Sequence, residues 1–158
     1  MARSDGSSRA APRLLLAIAA CALLARVGFG WRERRHPPTL PDLVHWHTPA
    51  EAERLLDAEP RATLYEFSAG WCEPCLQLQQ EVLGDERGAA AIEAFVAVKV
   101  PEDPEDRDPR VRELRQRFQV DVLPTLVVAG PHLKAPLFLR GYPGRAKTLA
   151  FLSKAREQ

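Results

Sequence analysis

The 158-residue chain is about one domain's worth of sequence, on a soft prior of roughly 150 residues per domain. Hydrophobic residues make up 46% and charged residues 27%, which excludes a largely disordered chain. The formal net charge is +1, so the basic face that a nucleic-acid binder needs is missing, and three cysteines are too few for a disulfide scaffold.

Residues 1–13 are polar and carry Arg3, Arg9 and Arg13, and Leu14 to Ala25 is an uninterrupted apolar run. A basic stretch ahead of an apolar run of about 7–15 residues is the pattern of an export signal. Counted from Leu14 to Trp31 the segment has 18 residues, and at about 1.5 Å per residue that just spans a bilayer core near 30 Å. Arg26 lies close enough to the far end to snorkel, and Trp31 suits an interfacial position. Residues 1–31 are therefore read as an uncleaved signal anchor, a hydrophobic helix ahead of the folded domain. A signal cleaved near Ala20-Cys21-Ala22, and a lipoprotein processed at Cys21 of Ile18-Ala19-Ala20-Cys21, stay open. A buried helix of a soluble domain is the bland alternative. The three targeting readings place the rest of the chain outside the cytoplasm, in a bacterial periplasm or on the outer face of the plasma membrane. Residues 32–42, RERRHPPTLPD, read as a semi-rigid spacer on their proline and charge content.

The folded part, 43–158, alternates strand and helix. Leu43 to His47 is a short edge-strand candidate. Thr48, Pro49 and Glu51 form a capping box with proline at the first helical position, opening a helix through Ala58 that Glu59-Pro60 stops. Thr63 to Phe67 is a central-strand candidate interrupted by one acid, Glu66. Cys75 to Leu83 reads as helix, Gly84-Asp85 as a break, and Glu86 to Phe95 as a second short helix. A strand over 95–100, a solvated loop over 101–109 and a charged amphipathic helix over 110–118 follow. Strands over 124–129 and 137–140, a turn over 141–144 and a closing helix over 147–156 complete the order. That order means α/β, with a central mixed sheet flanked by helices.

Trp71-Cys72-Glu73-Pro74-Cys75 sits where the central strand hands over to a helix. There Cys72 meets unsatisfied backbone N–H groups and the positive end of the helix dipole, both of which favour its thiolate. The thiolate is the nucleophile in disulfide exchange, so Cys72 attacks, and Cys75, one turn deeper, resolves the mixed disulfide. Pro74 costs little in a first helical turn.

With these residues in view, the chain over about 43–158 resembles the thioredoxin superfamily. Trp71-Cys72-x-Pro74-Cys75 looks like the family's active-site motif, Glu66 falls at its buried acid, and Lys99 falls at the lysine near that acid. Leu123-Pro124-Thr125 looks like its cis-proline segment. Cys-Glu-Pro-Cys is similar to the motif of tethered reductases that serve cytochrome c maturation, although the central insertion usual in that group is absent. The resemblance implies a thioredoxin-like fold, a redox-active Cys72–Cys75 disulfide, and a Glu66 that accepts the Cys75 proton from a buried site. It also implies substrate docking against Trp71, Leu123, Pro124 and Thr125, with Glu73, Pro74 and Lys99 tuning the redox couple. Protein disulfides would be the substrates of a monomer recharged by a membrane electron donor. Dithiol exchange needs no organic or metal cofactor.

The bland reading of the cysteine pair is half a zinc site, but closed zinc sites take four ligands and this chain offers one pair. Glu66 could instead point at water, and Lys99 could be an ordinary exposed lysine. Pro124 could be a trans proline that starts a strand. His45-Trp46-His47 puts two imidazoles on one strand face without a third ligand close in sequence. It leaves open a metallochaperone or assembly factor that hands on copper through the cysteine pair.

Overall fold

The structure is a computed structural model that describes residues 18–26, 40–103 and 108–158. It divides into two units, Met1–Pro38 and Thr39–Gln158. Of the first, residues 18–26 are helical and exposed. Among the described residues no helix is long and apolar enough to cross a membrane. The basic flank, both ends of the 14–31 segment and most of the 32–42 spacer lie outside the described residues. The far end of that spacer belongs to the folded unit: Gln79 Nε2 donates to the Pro41 carbonyl at 2.9 Å, and Asp42 is bonded into the domain as shown below.

In chain order the second unit runs α1 (Pro49–Ala58), β1 (Thr63–Ser68), α2 (Glu73–Leu78), a π-helical turn (Gln79–Leu83), α3 (Glu86–Ile92) and β2 (Val96–Pro101). It ends with α4 (Pro109–Phe118), β3 (Thr125–Ala129), β4 (Leu137–Arg140) and α5 (Arg145–Arg156). The sheet order is β2-β1-β3-β4. β1 and β2 are parallel, while β3 runs antiparallel to β1 and to β4, so the sheet is mixed. The expected edge strand over Leu43–His47 shrinks to one bridge, His47 to Val98. The expected helix over 75–83 starts at Glu73 and relaxes into the π turn, where the Gly84 N–H reaches back to the Gln79 carbonyl at 2.8 Å. The reading of α1 rests on local chemistry that the structure contains: Thr48 Oγ1 accepts from the Glu51 N–H, and Glu51 accepts from the Thr48 N–H.

Strand alternation divides the core in two. Leu64, Ala97, Leu126 and Val128 face Leu78, Val82, Leu83, Ile92 and Leu152, the side covered by α2, the π turn, α3 and α5. Tyr65, Phe67, Val98, Val100 and Val127 face Ala52 and Phe118, the side covered by α1 and α4. Because residues two apart share a face, Glu66 lies with Leu64 beneath the helix that carries Cys75. That placement positions the site.

Candidate active site

β1 delivers the chain to a turn, where the Gly70 N–H donates to Asp103 Oδ1 at 3.2 Å and ties the turn to the segment after β2. Trp71 emerges 69% exposed. Cys72 is the N-cap of α2: its own φ of −89° and ψ of 106° are extended, while its carbonyl accepts from the N–H groups of Cys75 and Leu76 at 3.0 and 3.1 Å. Glu73 and Pro74 fill the exposed first turn, where a missing N–H has no helical partner to lose. The turn brings the two cysteines to a Cα–Cα distance of 5.2 Å, joined as a disulfide. They pack against Ala69 and Leu123. The Leu123–Pro124 peptide bond is cis. Thr125, expected at the substrate surface, is fully buried, and its hydroxyl donates to the Val122 carbonyl at 2.7 Å. Its side chain secures the turn rather than lining the surface, because alternation at the start of β3 sends it inward.

Glu66 is 2% exposed, and Ser68 Oγ donates to its Oε2 at 2.9 Å. Burial pushes the carboxyl above its ordinary value of 4.5, against the opposing effects of Lys99 and Ser68. Lys99 is the strand neighbour of Glu66 in the β1–β2 register, yet its ammonium is held elsewhere. Lys99 Nζ donates to Asp42 Oδ2 at 2.9 Å and lies 5.2 Å from the centre of the Trp46 ring. The Trp46 indole N–H also donates to Asp42, at 2.8 Å. Burial pulls the Asp42 carboxyl up, but the bonds from Lys99 and Trp46 prevail and hold it below its ordinary value. The Asp42 charge in turn adds to the proton affinity of Glu66. Sequence reasoning missed Asp42 because composition assigned it to the spacer, and its contact with Lys99 spans 57 positions.

A groove of about 410 Å³ runs beside Cys72, lined by Trp71, Glu73, Glu102, Arg115, Val122 and Leu123 among others. Glu102 contradicts the reading of 101–109 as wholly solvated: its side chain is only 7% exposed, and Arg115 Nη1 lies 2.8 Å from its Oε2. Burial pushes its carboxyl up despite Arg115. The available signal was position, since Glu102 follows directly on the C-terminal end of a parallel strand, the end where α/β sheets assemble their sites. The two histidine rings stand edge to face, 4.9 Å apart. Among the described residues no group of three or more His, Cys, Asp or Glu is arranged to hold a metal ion.

Residues 50–156 match the thioredoxin-like domain family, more than half of the chain. The chain belongs to this family. A thioredoxin from Thermus thermophilus is 30% identical, with 70% of this chain and 85% of that one covered at a TM-score of 0.57. The DsbH oxidoreductase shares the fold at 20% identity and a TM-score of 0.61, covering 76% of this chain and 89% of the other. The C-terminal domain of Neisseria meningitidis DsbD, in its reduced form, shares it at 15% identity and a TM-score of 0.53, covering 65% and 89%. No curated protein matches the chain. The thioredoxin-like fold, with its cysteine pair intact and bonded at the start of α2, is that of a thiol–disulfide oxidoreductase, and thiol–disulfide exchange is its chemistry.

Proposed function

We propose that the protein reduces protein disulfides outside the cytoplasm, tethered to a membrane by its N-terminal segment and recharged by a membrane electron donor. The observation that carries the exchange chemistry is the Cys72–Cys75 disulfide at the N-terminus of α2, with buried Glu66 on the strand beneath that helix. In the dithiol form the Cys72 thiolate attacks a substrate disulfide, forming a mixed disulfide and expelling one substrate thiolate. The Cys75 thiol passes its proton to the Glu66 carboxylate and attacks Cys72 Sγ. The second substrate thiolate leaves, and the protein is left as the disulfide, two electrons poorer. A carboxyl whose proton affinity is raised by burial takes up that proton more readily than an exposed one would. Trp71 and Leu123 flank Cys72, and an extended substrate would dock partly by main-chain hydrogen bonds beside Leu123 and Pro124.

The reducing direction is argued from Glu73. Its carboxylate between the cysteines disfavours the Cys72 thiolate relative to a neutral residue. Solvent screens the effect at this exposed position, so it is modest,. A less stabilised thiolate makes the dithiol a better electron donor, toward the about −270 mV of thioredoxin and away from the about −120 mV of strong oxidants. Export and tethering are argued from the basic flank and the 18-residue segment from Leu14 to Trp31, apolar apart from Arg26 and the two glycines,. The full-length protein should fractionate with membranes. Equilibration with glutathione tests the direction, and a potential above about −180 mV, that of a disulfide isomerase, would overturn it.

A further inference from the structure

The groove beside Cys72 is lined by exposed apolar and charged side chains around one buried carboxylate, Glu102. Glu73, Glu102 and Asp121 line it against one cation, Arg115. Arg115 is already engaged: Nη1 meets Glu102 Oε2 at 2.8 Å, and Nε donates to the Val120 carbonyl at 3.2 Å. Asp121 is paired with Arg140 at 3.0 Å. Glu102 differs from both other carboxylates in being 7% exposed with one oxygen, Oε1, buried and without a hydrogen-bond partner among the described residues. A buried acceptor left unpaired costs free energy that a donor able to reach it recovers, and the gain is larger when the donor is charged. Lys and Arg side chains can deliver such a donor, because their apolar stems lie along Trp71 and Val122 while their heads reach inward.

Building on the reductase reading, we propose that Glu102 is a specificity-determining residue that selects disulfide substrates carrying a lysine or arginine next to the attacked cysteine. The substrate cation would bond Glu102 Oε1 while Arg115 keeps Oε2 in place. The observation that carries this is the orphaned buried oxygen, in a groove that offers a substrate no free cation of its own among the described residues. It does not depend on the cysteines being redox-active, so specificity and chemistry can fail separately.

The test uses the full-length protein, reduced with dithiothreitol and freed of it, against disulfide-linked peptides that differ only in having Lys, Ala, Ser or Glu after the cysteine. Single-turnover release of peptide thiol gives the rate. In low salt the wild type should react about tenfold faster with the Lys peptide than with the Glu peptide, equivalent to about 1.4 kcal/mol, and the ratio should fall as salt rises. In Glu102→Gln, which keeps the shape, the ratio should collapse to within about twofold. Glu53→Gln, outside the groove, should retain it. A wild type that does not discriminate overturns the proposal whether or not the variant folds. An undiminished ratio in Glu102→Gln, or a faster reaction with the Ser peptide than with the Lys peptide, also overturns it. Failure to reduce any of the peptides, Ala included, would instead refute the reductase reading.

Discussion

Burial of Glu66 makes the stability of the folded protein depend on pH,. In the unfolded chain its carboxyl titrates near the ordinary 4.5, and in the folded protein burial raises that value. The folded state therefore holds this proton more tightly than the unfolded state. Below about 4.5 both states are protonated and the stability is fully present; as pH rises through the folded value the stability is lost. The loss has an upper slope of about 1.36 kcal/mol per pH unit, because one proton is involved. Glu66→Gln keeps the side-chain volume and a carbonyl oxygen able to accept from Ser68 Oγ, which now lies 2.9 Å from Glu66 Oε2. It removes the ionisation altogether. The oxidised variant should thus lose less stability than wild type between pH 5 and 8, and the gap should widen with pH by up to that slope. Urea denaturation at half-unit pH steps reads it directly, as would a divergence in Tm of roughly 4 °C per kcal/mol for a domain of this size. Glu102 titrates in a raised range as well, but it is present in both proteins and cancels in the difference. Parallel curves across pH 5–8 would refute the assignment of a buried, proton-holding Glu66.

Asp42→Asn removes the negative partner of Lys99 and one of the charges that raise Glu66, so the folded value falls toward the unfolded one, and the loss of stability should be smaller and end at a lower pH. The partly exposed pair itself should contribute no more than about 1 kcal/mol, measurable in the same denaturation series. Cys75→Ser should accumulate mixed disulfides with substrate, visible on non-reducing gels, whereas Cys72→Ser should form none and lose insulin reduction. Gly88→Ala should destabilise by about 1–3 kcal/mol, because a Cβ there would meet the Val82 carbonyl oxygen at the π turn; thermal denaturation checks it.

What the sequence determined by itself is local chemistry. The Thr48–Glu51 capping box marks the start of α1 from four residues, since a side-chain oxygen and a backbone N–H three residues apart satisfy each other without help from elsewhere. Trp71-Cys72-Glu73-Pro74-Cys75 between an apolar strand and a helix specifies a dithiol site, because a one-turn spacing sets the distance between the sulfurs. The alternation of Tyr65, Glu66 and Phe67 is legible too, as strand geometry sends neighbours to opposite faces. Tertiary structure decided the rest. Leu43–His47 has the composition of a strand but pairs only at His47, since pairing depends on a partner edge and not on propensity. Asp42 reads as spacer until Lys99 and Trp46 close around it. Thr125 reads as surface until the turn draws its hydroxyl to Val122. Glu102 sits in a run of acids and prolines that composition assigns to solvent, yet in the fold it follows the end of β2, meets Arg115 of α4 and has a buried side chain. Burial of a charged side chain is a property of what packs over it, and those neighbours come from distant parts of the chain.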